Sequence, residues 1–248
     1  MQIKQQNISF SLFKVFIKEM LKGKSLVRTL LNISLMEIEL TGDILDLGSK
    51  SNGASYNRFL QKDKNCKITF TDWHEGGEGI IKLNLEEKFA IEDNKFDFIT
   101  SFNVLEHIYN YKNVVEESFR ILKPGGVYIG QTPFLVNYHA DPNDYFRYTH
   151  QAIEKMFEEV GFVCQKMIYL GFGPCAAAFS LRSHIYPNFL RPIFATLAIL
   201  MDMVIVKIKK SQKFKYPLGY LYIMKKDSFI QEFNATFVIP SLLKNLSS

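Results

Sequence analysis

Gly42-Asp43-Ile44-Leu45-Asp46-Leu47-Gly48-Ser49-Lys50-Ser51-Asn52-Gly53 is the stretch on which the reading of this chain turns. Its first half is a short apolar strand, with Ile44, Leu45 and Leu47 around Asp46. Its second half is small and polar, and a helix is expected from about Ala54 through 56–60. A strand running into a glycine-containing turn and then a helix brings backbone N–H groups and a carboxylate to one end of a parallel sheet. Open α/β sheets bind nucleotide-like ligands at that end.

Outward from this stretch the pattern alternates strand and helix. Strands are expected at 43–47, 67–71, 80–83, 96–101, 127–132, 162–170 and 219–224. A helix with the apolar stripe Val114, Val115, Phe119, Ile121 and Leu122 is stopped by Lys123-Pro124-Gly125-Gly126. A second, 151–160, has Thr149 as its N-cap and Gly161 as its stop. The predicted fold class is therefore α/β: a doubly wound, mostly parallel seven-stranded sheet over 41–226, with helices on both faces. Before it, Ile8, Leu12, Val15, Phe16 and Met20 recur at helical spacing, as do Leu26, Leu30 and Leu31, with Gly23 between the two sets. Residues 1–40 read as a helical cover on the sheet edge, or else as a lid over the ligand or a membrane surface. Residues 227–248 are a tail.

An apolar helical insertion at about 181–212 precedes the last strand. Its run within 188–208 is interrupted by Asp202 and falls short of the ~20 apolar residues a spanning helix needs. It is also too apolar for an ordinary surface helix. A buried helix, a homodimer surface and a helix lying in a membrane interface all fit.

The chain has 248 residues, 47% apolar and 22% charged, which is the composition of a folded domain. Its 22 Phe and 12 Tyr suit packed aromatic surfaces or a ring-shaped ligand. A net charge of +5 without a basic stripe in the first two thirds argues against nucleic acid as a partner. Lys207, Lys209, Lys210, Lys213 and Lys215 could face anionic lipid, or simply water. Cys66, Cys164 and Cys175 show no CxxC spacing, so reduced thiols and no zinc site are expected. The N-terminal residues lack a secretory pattern. The expected location is cytoplasmic, at the inner face of the membrane if 188–208 makes peripheral contact with it.

Asp46-Leu47-Gly48, Asp72 after the second strand, the segment from Asp97 to Glu106-His107 and Leu122-Lys-Pro-Gly-Gly-Val127 come in a telling order. Together they resemble class I S-adenosylmethionine-dependent methyltransferases, in particular the small-molecule branch called type 11. The resemblance covers about 43–170 and implies a Rossmann-like methyltransferase fold with S-adenosylmethionine as cofactor. It implies that Asp72 takes the ribose hydroxyls, Trp73 packs on the adenine, and Asn84 and Leu85 meet the adenine edge. Gly48 and Ser49 would approach the methionine part, with Asp46 offering a carboxylate near its amino group. Ser101, Phe102 and Asn103 would form the floor beneath the sulfonium. Lys50 and Asn52 stand where the family has glycines, and Gly53 comes one residue late. Asp46 read alone could equally cap the next helix.

The segment from His139 to His150 is dense in polar groups and lies at the carboxyl end of the sheet. His139 is the candidate general base. His107, Asp144, Tyr145, Arg147 and Tyr148 are candidate substrate contacts, Arg147 as a clamp for a carboxylate or phosphate. Asp144 and Arg147 could instead pair with each other. Ubiquinone-pathway O-methyltransferases hold a divalent ion on a Glu-x-x-Glu-His patch. Here Asn103 replaces the first Glu, leaving Glu106 and His107 as two ligands only, so no metal is expected.

The expected function is methyl transfer to a small-molecule or a lipid- or glycan-linked acceptor, with O-methylation favoured by the loop histidine. The alternative is a non-catalytic methyltransferase-like fold that serves as a binding or membrane-docking module. A nicotinamide-dependent oxidoreductase is disfavoured, because the turn lacks Gly-x-Gly-x-x-Gly.

Overall fold

The computed structural model describes residues 4–5, 10–49 and 54–227. Lys50, Asn52 and Gly53 of the altered turn, Ile8, and all but the first residue of the expected tail lie outside the described residues.

Strand β3 (Asp43–Leu47) is central, paired in parallel with β5 (Lys67–Asp72) and β7 (Phe96–Phe102). Side chains alternate along a strand, so β3 feeds two cores. Ile44 packs on one face with α1 (Phe10–Leu21), α2 (Leu26–Leu35), α5 (Pro174–Arg182) and α6 (Arg191–Ile208). Leu45 and Leu47 pack on the other with α3 (Tyr111–Ile121) and α4 (His150–Glu158). The sheet extends through β6 (Ile80–Lys82) on one side. On the other it runs through β8 (Leu122–Pro133), β10 (Gly219–Lys226) and β9 (Phe162–Leu170). Only β10 runs antiparallel, inserted between β8 and β9. These are the seven strands expected, and β1 (Lys4–Gln5) adds a short eighth beside β9.

The N-terminal helices pack into one of these two cores. Leu26, Leu30, Leu31 and Leu35 are all fully buried, and each buried leucine contributes roughly 1.5–3 kcal/mol. The buried carboxylate of Glu19 in α1 accepts Asn32 Nδ2 of α2 at 3.1 Å and Arg58 at 3.2 Å. This ties both helices to the chain just after β3.

Two expectations are corrected. The helix expected from about Ala54 is a single 3-10 turn, Ser55–Arg58. Ser and Asn there are weak helix formers, and the chain must at once deliver β4 (Gln61–Lys62) to pair with β2 (Glu39–Leu40) in a second, two-stranded sheet. The Lys-Pro-Gly-Gly stretch is also more than a stop. Strand β8 begins at Leu122, and 123–126 bulge out as the pairing shifts from Phe96–Leu122 to Phe98–Val127. Gly125, at φ +77°, makes that bulge accessible.

The carbonyls at the end of α3 are satisfied from β10. The buried ammonium of Lys226 donates to the Phe119 and Leu122 carbonyls at 2.7 Å and to Asn94 Oδ1 at 2.9 Å. Asp202, the charge inside the apolar run, is equally placed. It is fully buried and accepts the N–H groups of Cys175 and Ala176, which open α5.

Candidate active site

The carboxyl ends of β3, β5 and β7 enclose a cavity of about 360 Å³. One wall comes from Gly48, Asp72 and Trp73, the floor from Asn103 and Val104, and the far wall from His107, Asn143 and Tyr145.

Gly48 leaves β3 with φ +75°, and its N–H donates to Thr71 Oγ1 at 2.9 Å. A Cβ at this position would lie 3.0 Å from Val104 Cγ2, so glycine leaves the turn open to a ligand. Asp72 ends β5. Its Oδ1 accepts the N–H of His74 at 2.7 Å and of Glu75 at 2.9 Å, which holds the carboxylate in one orientation at the cavity wall. Trp73 beside it is 52% exposed, a flat apolar face against the cavity. Asn103 follows β7 in the left-handed region, at φ 58°, and its N–H donates to the Gln131 carbonyl. An oriented acid, a close-approach glycine and an aromatic face fit a nucleoside with vicinal hydroxyls.

Of the expected cofactor residues, Gly48, Asp72, Trp73, Leu85 and Asn103 line this cavity. The other five do not line it. Asn84 is engaged in its own loop, with the Glu86 N–H on its Oδ1 and its Nδ2 donating to Glu87. Phe102 is buried edge-on against Tyr56, and Ser101 is buried within the sheet. Ser49 adjoins the turn without lining the cavity. Asp46 is 1% exposed and accepts Thr100 Oγ1 at 3.0 Å and Tyr56 OH at 3.2 Å. Burial raises its pKa to about 6, against the opposing pull of these hydrogen bonds.

The loop after β8 folds back over the site through backbone bonds, Tyr145 N–H donating to the Glu106 carbonyl at 2.8 Å. His107 and Tyr145 line the cavity. Asp144, Arg147 and Tyr148 take other places. Arg147 grips Asp144 with two nitrogens, one at 2.6 Å, and the same carboxylate accepts the His139 N–H at 3.0 Å. The guanidinium holds the Asp144 carboxyl well below its ordinary pKa. Tyr148 is buried among Tyr111 and Phe146, its hydroxyl donating to the Leu105 carbonyl. This pair and this ring build the loop, and they do not reach the cavity.

His139 stands over Glu106. Its Nε2 lies 3.7 Å from Glu106 Oε1, and so does Nε2 of His107. The two imidazoles meet edge to face at 5.1 Å. Glu106 raises the His139 pKa above its ordinary value. Sequence reading saw Glu106-His107 but not its closure by a residue from beyond β8, because that closure depends on how the loop folds back. It also missed Arg28 in α2. Its guanidinium lies 5.6 Å from the Tyr56 ring centre, beside Asp46's hydrogen-bond partner, and burial lowers its pKa.

A family profile described as "Methyltransferase domain" matches residues 22–166, more than half of the chain. The chain belongs to this methyltransferase-domain family. The match begins at the loop before α2, so that helix is part of the family domain, while α5, α6 and β10 lie beyond it. A protein of Mycolicibacterium smegmatis named as a probable S-adenosylmethionine-dependent methyltransferase is 36% identical over 106 residues. The match takes in 39% of this chain and 40% of that relative's length. Solved structures share the fold. The [4+2]-cyclase SpnF has a TM-score of 0.51 at 14% identity, over 81% of this chain and 80% of that one. A methyltransferase candidate from Bacillus halodurans C-125 has a TM-score of 0.50 at 14% identity, over 81% and 98%. At such identity the likeness is one of fold.

Proposed function

We propose that this methyltransferase domain transfers the methyl group of S-adenosylmethionine to a hydroxyl of a small-molecule or a lipid- or glycan-linked acceptor. The carrying observation is the oriented Asp72 carboxylate in the same cavity as Gly48, Asn103 and His107. Asp72 would accept the ribose hydroxyls, Trp73 would cover the purine, and the Gly48 turn would take the methionine part. Asp46, buried below that turn, would offer its charge to the cofactor's ammonium group. The sulfonium supplies an already electrophilic methyl, so the protein's work is alignment. A hydroxyl nucleophile must also lose its proton, and the Glu106–His107–His139 cluster stands at the cavity wall where it could promote that loss.

The test is titration with S-adenosylmethionine. Asp72→Asn retains an oxygen for the His74 and Glu75 N–H groups but removes the charge. It should weaken binding about 10–100-fold, the loss of a charge-assisted pair of hydrogen bonds. Equal affinity in the variant would remove the basis for this reading. Binding with no methyl transfer to any acceptor fraction would favour the non-catalytic module instead.

The exposed face of α6 favours an acceptor met at an anionic membrane surface. Ile193, Phe194, Leu197, Leu200, Met203 and Val204 face outward, and exposed Lys207, Lys209 and Lys210 follow. The neighbouring α1 adds exposed Phe13 and Leu21 with Lys14, Lys18 and Lys22. Each lysine near such a surface contributes roughly 1 kcal/mol, which adds to insertion of the apolar face. Among the described residues no helix is long and apolar enough to cross a membrane, so this contact would be peripheral.

A further inference from the structure

We infer that Glu106, His107 and His139 form a binding site for one divalent first-row transition ion of the Zn2+ class, at the wall of the cavity. Their ligand atoms all lie within 4.8 Å of one another. Glu106 is fully buried, and among the described residues neither carboxylate oxygen has a hydrogen-bond donor within reach. A buried carboxylate without donors is costly; two imidazole nitrogens stand 3.7 Å from its Oε1, and the charges of Arg28 and Arg147 act on it from farther off.

The state of those nitrogens follows from their other contacts. His107 Nδ1 lies 2.5 Å from the Asn143 carbonyl, and His139 Nδ1 lies 3.0 Å from the Asn137 carbonyl. A carbonyl only accepts, so each Nδ1 carries the hydrogen. In the neutral ring Nε2 is then a lone pair, and in both rings Nε2 is the atom that faces Glu106. With both rings neutral, three acceptors thus converge with no donor among them. Imidazoles that ligate metals are held in just this way, their second N–H given to a carbonyl. Two histidines and one carboxylate make a recurrent ligand set that leaves positions open for water or substrate.

Ligand atoms around a tetrahedral zinc at ~2.1 Å stand roughly 3.4 Å apart. Two of the edges here are 3.7 Å and all lie within 4.8 Å, so closure asks for movements of about an ångström or less. The third ligand comes from the loop after β8, a different element from the one that carries Glu106 and His107. Seated there, the ion's open positions would face the cavity that His107 lines, and its charge would favour an oxygen ligand in its anionic form. His139 would then serve as a ligand rather than as a free base.

The inference stands apart from the methyl-transfer reading, and its test does not use activity. Chelator-treated full-length protein is titrated with Co2+ alone, followed by visible absorption, and with Zn2+ by calorimetry. One site per chain is expected, with affinity lowered at least tenfold in His139→Ala and in the near-isosteric Glu106→Gln. His150→Ala, a histidine of α4 that packs on Tyr220 and not on the cluster, should leave it unchanged. Far-UV circular dichroism identifies any variant that fails to fold, and Glu106→Gln then carries the comparison. No saturable binding, or equal affinity in His139→Ala and wild type, overturns the site. A proton shared between His139 and Glu106 would show as absent metal binding with a shifted His139 titration by NMR, and it too overturns the inference.

Discussion

The Asp202 carboxylate, inside the apolar helix α6, accepts the backbone N–H of Ala176 at 2.8 Å and so caps α5, a different helix. Cys175 N–H fills its other oxygen at 2.9 Å. The cap also explains Gly173, where any Cβ would lie 2.7 Å from that carboxylate. Asp202→Ala leaves two N–H groups without partners, and urea unfolding should show a loss of about 2–4 kcal/mol. Asp202→Asn keeps one acceptor and should lose roughly half as much. An unchanged midpoint for the alanine variant would mean that α5 is capped some other way.

Lys226 should behave comparably at the opposite end of the sheet. Its ammonium is 1% exposed and donates to two carbonyls ending α3 and to Asn94. Lys226→Met keeps the apolar stem and removes all three bonds. A stability loss of about 2–4 kcal/mol is expected from the buried acceptors left behind. Exposed Lys225→Met, one residue away, should change stability by less than about 0.5 kcal/mol.

Asp46 gives a pH signature. Its folded pKa, about 6, lies above the ordinary 3.8 because burial disfavours the charge. The native state therefore holds a proton that the unfolded chain has released between these values. Wild-type stability should fall as pH climbs from about 4 to about 6 and then level off. Asp46→Asn removes this slope. The variant should match wild type near pH 4 and exceed it at pH 7 by about 1–3 kcal/mol, while binding S-adenosylmethionine more weakly. Parallel stability curves for the two proteins would show that Asp46 does not ionise on folding in this way.

How legible the site was depends on what each residue relies on. Gly48 and Asp72 are fixed by strand ends, and strand ends follow from local hydrophobic pattern. Asn84 and Ser101 were carried by resemblance, and neither their spacing nor their type reveals which way a side chain faces. For Arg147 the sequence allows either a clamp or a pair with Asp144 three residues earlier, and in the fold Asp144 fills the guanidinium. Asp202 looked like a break in an apolar helix, since its partners are made by packing α5 on α6. The His139–Glu106 contact likewise depends on how the loop after β8 folds back. The strands were readable because each is a local pattern. The cluster was not, because it is a tertiary event.

The membrane proposal yields its cleanest test from the same packing. Excising the apolar run would remove Asp202, Ala195, Ala198 and Ile199, all buried, and would disturb the core as well as the surface. Leu200→Asp with Val204→Asp changes only exposed positions, one helical turn apart on the outward face. The full chain should sediment with phosphatidylglycerol vesicles and much less with phosphatidylcholine, with binding weakened by salt. The double variant should lose at least tenfold in partitioning while its unfolding midpoint stays within error. Reversing Lys207, Lys209 and Lys210 to Glu should remove the preference for anionic lipid. If wild type ignores both vesicle types but sediments as a dimer that the double variant breaks, the face is an interface between two copies of this chain.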